Sequence, residues 1–149
     1  MDEVCAKTYF TMVRPINEYA APVWNPYTQR NIGRIEMVQR RAARFVCGRY
    51  HNTSRMLQEL KWPSLKRRQE ILRLNLFYKM RHNLVIIDTS QHITPTLRTT
   101  QNTHQGYQIP TSSAEYQSNS FFLRTVKGWN NLPPDIISAP PQQKHSASA

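Results

Sequence analysis

The hydrophobic positions between Asn31 and Tyr50 repeat with the period of an α-helix. At about 100° per residue, apolar side chains gather on one face of this stretch and arginines gather on the other. The apolar set comprises Ile32, Ile35, Val38, Ala42, Phe45 and Val46, and the basic set comprises Arg34, Arg40, Arg41 and Arg44. Thr28 or Asn31 can cap the start, and Gly48 can end the helix. The pattern predicts a helix with one face in a core and the other towards a polyanion or water.

Two further long segments have helical spacing. Residues 4–19 form the first, in which Pro15 is expected to kink or restart the helix because proline has no backbone N–H to donate. The side chains predicted to share its apolar face are Ala6, Phe10, Val13 and Ile16. The second runs from residue 65 to about residue 83 after a cap at Ser64, and it is apolar on most sides. A helix of that kind is normally enclosed by a core.

The rest of the chain differs in composition. Residues 88–120 are rich in Thr, Gln, Ser and Asn and indicate an irregular polar linker, with short strands considered around residues 107–109. Helical spacing returns in residues 121–139, whereas residues 140–149 have no large apolar side chain to bury and are predicted to be disordered. The predicted fold class is therefore mostly α, a small domain of three to five helices whose first segment covers residues 1–87.

Positive charge is concentrated in the middle of the chain. The sequence has 20 Lys and Arg against nine Asp and Glu, a net charge of +11. Between Arg30 and Arg81 there are fourteen basic and three acidic residues, so this block accounts for the whole excess. Segregated positive charge is typical of a surface that meets phosphates. A solvated basic face without a ligand is the alternative interpretation.

Cysteine usage and hydropathy indicate the compartment. Cys5 and Cys47 lie far apart in the sequence, as expected for reduced thiols of an intracellular protein. No stretch reaches the roughly 18 apolar residues that a membrane span requires. Acidic residues directly after Met1 argue against a targeting peptide. We expect an intracellular protein with no membrane partner, in the nucleus or the cytoplasm.

Catalytic patterns are missing from the sequence. The nine carboxylates are scattered, and no Asp pair is spaced to hold two metal ions. The four glycines sit alone and form no phosphate-binding loop. Cys47 and His51 are four residues apart, but Gly48 is expected to end the helix between them, which argues against a zinc site or a Cys-His pair. We predict no catalytic residue, no metal, no cofactor and no small-molecule substrate.

The two basic helices carry the candidate nucleic-acid contacts. Arginine suits this role because its planar guanidinium makes bidentate contacts to phosphate and stacks on bases. The candidates are Arg34, Arg40, Arg41, Arg44, Lys66, Arg67, Arg68 and Arg73. Positive charge in the first turn of the second helix opposes the helix macrodipole, so local stability does not explain it. Tyr50, Trp62 and Tyr78 are close enough in sequence to stack on bases, although core packing is the favoured interpretation.

Five short motifs follow one another along the chain. They are VRPINEYAAPVWNP at residues 13–26, IEMVQRRAARF at 35–45, LKWPSL followed by two arginines at 60–68, LFYKM at 76–80 and WNNLP at 129–133. In this order they resemble the reverse transcriptases of non-LTR retrotransposons of the LINE class, of the jockey and chicken-repeat type. Each motif is weak alone, and their order over residues 8–139 carries the resemblance. Asn17, where an apolar residue is usual, and the polar tail after Pro140 depart from the family pattern.

The resemblance implies the thumb and post-thumb region of an RNA-directed DNA polymerase. In that family the catalytic aspartates belong to the palm and the endonuclease lies further upstream, so no catalytic residue is carried over to this chain. The resemblance implies a non-catalytic C-terminal fragment whose partners are RNA or an RNA–DNA hybrid and the missing palm domain. The alternative is a structural or interaction remnant of a decayed retroelement with no independent activity.

Overall fold

The computed structural model describes residues 2–48, 52–90, 92–96, 106–109 and 115–137. These residues are mostly helical, which confirms the predicted fold class. The helices are α1 (Glu3–Thr8), α2 (Arg14–Glu18), α3 (Ala21–Trp24), α4 (Gln29–Cys47), α5 (Thr53–Glu59), α6 (Leu65–Arg81), α7 (Glu115–Ser118), α8 (Phe121–Asn130) and α9 (Pro134–Ile137). A π-helical turn, Tyr9–Val13, joins α1 to α2. The predicted disordered tail, residues 140–149, lies outside the described residues.

The chain folds as two compact units, Met1–Arg73 and Leu74–Ala149, and the boundary falls inside α6. Each unit has buried apolar side chains of its own. The segment limits predicted from composition, at residues 87, 120 and 139, describe changes in sequence character and stay predictions.

The first helical segment continues through Pro15 instead of ending there. Proline cannot donate the helix hydrogen bond, and ahead of it the helix widens so that the Arg14 N–H donates to the Tyr9 carbonyl, five residues back. A π turn contains more residues than an α turn. Side chains after it are therefore rotated relative to those before it. Ile16 and Phe10, predicted to share an apolar face, are both exposed, and Tyr9 is buried instead.

Tyr9 connects this first segment to the core of the Met1–Arg73 unit. Its ring stacks on Trp62, with centroids 4.7 Å and planes 15° apart. Burial of the hydroxyl raises the pKa of Tyr9 to about 12. Gln39, which with Tyr9 lines a cavity of about 110 Å³, donates from Nε2 to the Pro63 carbonyl at 3.0 Å. This bond attaches the middle of α4 to the turn that precedes α6.

Helix α4 ends where the sequence predicts. Gly48 adopts the left-handed conformation with φ 60°, and its N–H donates to the Arg44 carbonyl at 2.9 Å. Glycine suits this position because a side chain would be strained at positive φ. At the other end, Thr28 is the N-cap residue by position, without a side-chain hydrogen bond to the helix.

The buried stripe of α4 is rotated relative to the predicted one. Its fully buried members are Gln39, Ala43 and Val46. At 100° per residue, Phe45 lies about 120° from Gln39 and about 160° from Ala43. Phe45 is accordingly 76% exposed, and the prediction that it faces the core was wrong.

Trp129 lies at the centre of the core of the Leu74–Ala149 unit. Its ring centroid is 5.1 Å from that of Phe77, and the two rings form a buried cluster with Val126. The side chains that pack around this cluster are Leu74, Tyr78, Ile93, Tyr107, Leu132 and Ile137. The core therefore combines the second half of α6, the polar linker and the segment that carries the WNNLP motif.

Asn130 attaches the polar linker to α8. Its Oδ1 accepts from the Tyr107 N–H at 3.1 Å, and its Nδ2 donates to the Tyr107 carbonyl at 2.9 Å. Pro95 and Tyr107 form an isolated antiparallel bridge, which is the β pairing found within the described residues. Of residues 107–109, where short strands were considered, Tyr107 is held by this bridge and by Asn130.

Replacing Asn130 with Asp tests the two hydrogen bonds between its side chain and the Tyr107 backbone. Asn130→Asp removes the donor and sets a carboxylate oxygen against the Tyr107 carbonyl, so we expect the free energy of unfolding to fall by about 1–3 kcal/mol. Asn131→Asp is the matched control, because Asn131 is exposed and gains the same charge at the same helix end. Urea unfolding followed by circular dichroism measures both variants. Equal losses in the two would show that these hydrogen bonds contribute nothing.

Candidate nucleic-acid interface

The exposed side of α4 carries five arginines. We define the arginine face as the exposed side chains Arg30, Arg34, Arg40, Arg41 and Arg44. Their spacing places them along one side of the helix. From the first to the last they extend about 21 Å at 1.5 Å per residue. Four of them were predicted as contact residues, and Arg30 extends the same side by one turn.

The arginine face has no acidic counter-charge in the described part of the chain. None of its five guanidinium groups lies within 4.0 Å of a carboxylate there. The contacts that its members make are with neutral atoms: Arg41 Nη2 lies 3.7 Å from the Met37 sulfur, and Arg44 Nη2 lies 3.5 Å from Thr53 Oγ1. The positive charge of this face is therefore available to a ligand.

Lys66 and Arg67 are exposed at the start of α6, beside α4. The Lys66 N–H donates to Glu36 Oε1 at 2.8 Å, and the Arg67 N–H donates to the Ser64 hydroxyl at 3.3 Å. Glu36 thus provides negative charge where the helix dipole favours it, which offsets the basic residues of that turn. Both side chains stay exposed.

Arg68 has a structural partner. Its Nε and Nη2 donate to the two carboxylate oxygens of Glu18, and Arg14 Nε donates to Glu18 Oε1 at 3.1 Å. Burial alone would raise the pKa of Glu18, but the hydrogen bonds and charges of Arg68 and Arg14 outweigh it and lower that pKa. The bond to Glu18 in turn raises the pKa of Arg68. Arg68 therefore holds α2 to α6.

Arg73 is buried within the Met1–Arg73 unit. Its residue is 5% exposed, and its Nη2 lies 4.0 Å from Glu70 Oε1. A buried guanidinium is not positioned to meet a phosphate from solvent. Of the eight predicted contact residues, six are on the surface and two belong to the packing of this unit.

The aromatic residues near the basic block divide in the same way. Trp62 stacks on Tyr9, and Tyr78 packs against the Trp129 cluster, so core packing is confirmed for both. Tyr50 lies outside the described residues. Sequence reasoning missed Phe45, which is exposed on α4 next to the arginine face, and Met37, which is half-exposed within it. The sequence did contain a signal for their position on this side of the helix, because Met37 and Phe45 lie three or four residues from arginines of the arginine face.

The described residues contain no group of three or more His, Cys, Asp or Glu that could hold a metal ion. The hydrogen bond from the Cys5 thiol to Asp2 Oδ2, 3.2 Å long, raises the pKa of that thiol and so disfavours the reactive thiolate. No helix in this part of the chain combines the length and apolar character needed to cross a membrane.

Comparison of the chain with models of protein families, with curated proteins and with solved structures found no match. The ordered motifs and the geometry of the arginine face are therefore the two observations that bear on function.

Removing the charge of Glu18 tests its structural role. Glu18→Gln leaves Arg14 and Arg68 without a counter-charge in a half-buried site, so we expect a loss of about 1–3 kcal/mol in the free energy of unfolding at pH 7. Glu3→Gln is the control, because the Lys7–Glu3 pair is exposed and such pairs contribute about 0–1 kcal/mol. Chemical unfolding of both variants measures the difference.

The pH dependence of the Glu18→Gln effect follows from the lowered pKa. A carboxylate whose folded pKa lies below its unfolded value, here about 4.5, stabilises the fold above that value. Its contribution is lost as the pH falls through the lowered folded pKa. The stability difference between wild type and Glu18→Gln should therefore shrink below about pH 4.5. A difference that stays constant down to acid unfolding would contradict this role.

Proposed function

We propose that the chain is the thumb and post-thumb region of a non-LTR retrotransposon reverse transcriptase and binds the backbone of RNA or an RNA–DNA duplex through the arginine face. The observation that carries the binding is a row of five exposed arginines without a carboxylate partner among the described residues. The ordered motifs from residue 13 to residue 133 support the family.

The contacts we propose are with phosphates. Guanidinium groups along about 21 Å of helix can meet several phosphates, which in duplex DNA repeat every 3.4 Å or so along each strand. Lys66 and Arg67 enlarge the same surface, because the Glu36–Lys66 bond brings the first turn of α6 next to α4. Arg68 and Arg73, predicted as contacts, are left out because Glu18 and burial respectively account for them.

Binding of this kind is independent of base sequence. Each guanidinium that meets a phosphate releases condensed counterions, so affinity falls steeply as salt rises. We assign the chain no catalytic, metal or cofactor residue, and nucleotidyl transfer would belong to the palm that the resemblance implies. The role of this region would be to hold template and primer.

A second candidate is a docking module, favoured by five exposed apolar residues on the first helical segment and α3. Each of them is at least two-thirds exposed: Val4, Met12, Ile16, Tyr19 and Val23. Exposed apolar surface is a feature of interaction sites in soluble proteins. On this proposal these residues pack against the palm of the parent polymerase, and the isolated chain is an interaction remnant.

Salt dependence tests the arginine face. We expect the binding constant for a labelled RNA–DNA duplex to fall linearly with salt on logarithmic axes, and Arg40→Ala/Arg41→Ala/Arg44→Ala to lower the slope by about 2–3, since each phosphate contact contributes about 0.7–0.9. Fluorescence anisotropy between low and physiological salt measures this slope.

The matched control variant replaces three lysines that lie outside the arginine face. Lys7→Ala/Lys79→Ala/Lys127→Ala changes the net charge equally, and all three side chains are exposed on helices other than α4. We expect this variant to keep a slope within about 0.5 of wild type, because none of its substitutions removes a phosphate contact. Equal reductions in the two variants would mean that net charge, not the arginine face, drives binding.

Thermal melting separates the two candidate functions. A ligand that binds the folded chain at about 100 times its dissociation constant adds about 2.7 kcal/mol of stability. We therefore expect a higher melting temperature with RNA present. An unchanged melting temperature, together with self-association that Ile16→Asp abolishes in sedimentation, would favour the docking module instead.

A further inference from the structure

Phe45 is an exposed aromatic ring at the edge of the arginine face. Its residue is 76% exposed on the last turn of α4. Arg41 precedes it by one helical turn, and Arg34 lies two further turns back on the same side. Within the described residues the ring makes no stacking or cation–π contact, although several other aromatic side chains do. The ring is therefore open to a ligand.

The neighbours of Phe45 restrict what that ligand can be. Met37, half-exposed one turn before Arg41, makes the surface partly apolar, yet three cations of the arginine face, Arg40, Arg41 and Arg44, lie between these two side chains along the helix. An uncharged apolar partner would have to desolvate those guanidinium groups without compensation. A partner that suits both features has flat apolar faces and regularly spaced negative charges.

Single-stranded nucleic acid has this combination. Its phosphates suit the arginines, and its unpaired bases can stack on a phenylalanine ring, whereas the bases of a duplex are already stacked on each other. We infer that Phe45 is a stacking platform for an unpaired base and that the arginine face binds single-stranded RNA or DNA in preference to duplex. This inference rests on the proposed function, because it requires nucleic acid at that face.

The test compares ligands that share a backbone and differ in their bases. The full chain and its Phe45→Ala variant are titrated with a labelled single-stranded RNA of about 12 nucleotides, a length within the range of known single-strand sites. The same titrations use a DNA strand of equal length, a duplex, and an abasic strand. Tyr19→Ala is the matched control, because Tyr19 is an exposed aromatic residue outside the arginine face.

We expect Phe45→Ala to weaken binding of the single strand about tenfold, within the range that stacking of one base contributes. Its binding of the duplex and of the abasic strand should change less than about twofold, since neither offers a base to stack. The slope of affinity against salt should stay the same, because no phosphate contact is removed. Tyr19→Ala should resemble wild type with every ligand. RNA and DNA strands that bind equally would show that the platform ignores the 2′-hydroxyl.

The failures of the two proposals can be told apart. Salt-dependent binding that is lost with Arg40→Ala/Arg41→Ala/Arg44→Ala but unchanged in Phe45→Ala would overturn the stacking platform and leave the proposed function standing. A wild-type chain that binds none of the strands would overturn both. The remaining competitor is an anionic membrane surface, which also suits a basic face with exposed apolar side chains. Tighter binding to phosphatidylserine vesicles than to RNA, weakened by Phe45→Ala, would overturn the nucleic-acid assignment.

Discussion

The half-buried carboxylate of Glu18 is the interaction on which the packing of the first unit depends. It accepts hydrogen bonds from Arg14, one turn earlier on the same helical segment, and from Arg68, fifty residues later on α6. A carboxylate in such a place needs its cations, because burial alone would favour the protonated form. The cations need it equally, since an unpaired buried charge is strongly destabilising. This mutual requirement fixes the first segment against α6, and the Gln39–Pro63 and Glu36–Lys66 bonds then set which side of α4 faces solvent.

Because the chain has few acidic residues, their positions decide which basic residues have a carboxylate partner. With nine carboxylates against twenty cations, the basic residues cannot each have an acidic partner of their own. Glu18 is shared by Arg14 and Arg68, and Glu36, the one acid on α4, accepts from the first turn of α6, so both carboxylates are engaged inside the unit. Within the described residues, the arginines of the arginine face are among the cations that have no carboxylate partner. The net positive charge of the arginine face thus results from where the few carboxylates are placed.

Sequence patterns predicted the first helical segment, α4, α6 and α8, the glycine that ends α4 and the sidedness of that helix, because these depend on local periodicity and on backbone conformation. The short helices α3 and α7 were not predicted. Sequence patterns also could not predict the rotation of the buried stripe. Gln39 belongs to it through a hydrogen bond to the distant Pro63 carbonyl, and a glutamine does not register as a core residue in a hydrophobic pattern. For the same reason the sequence did not distinguish Arg68 and Arg73 from their exposed neighbours. The partner of Arg68 lies fifty residues away and the burial of Arg73 depends on packing, so only the tertiary structure reveals either. The π-helical turn before Pro15 also could not be predicted, and it changes the side of the helical segment on which Ile16 lies.

The arginine face contains features that are unfavourable in the free protein and that a ligand would relieve. Arg30 and Arg34, and likewise Arg40 and Arg44, are four residues apart on one helix, and like charges at that spacing destabilise a helix by about 0.2–0.5 kcal/mol per pair. The helix is kept in place by its buried side, where Ala43 and Val46 are almost fully enclosed. Exposure of Phe45 adds an apolar surface that water does not favour. A single strand of nucleic acid would screen the repulsion with its phosphates and cover the ring with a base. Both unfavourable features of the free surface therefore become favourable ones with the same ligand, which is the physical reason to regard them as one site.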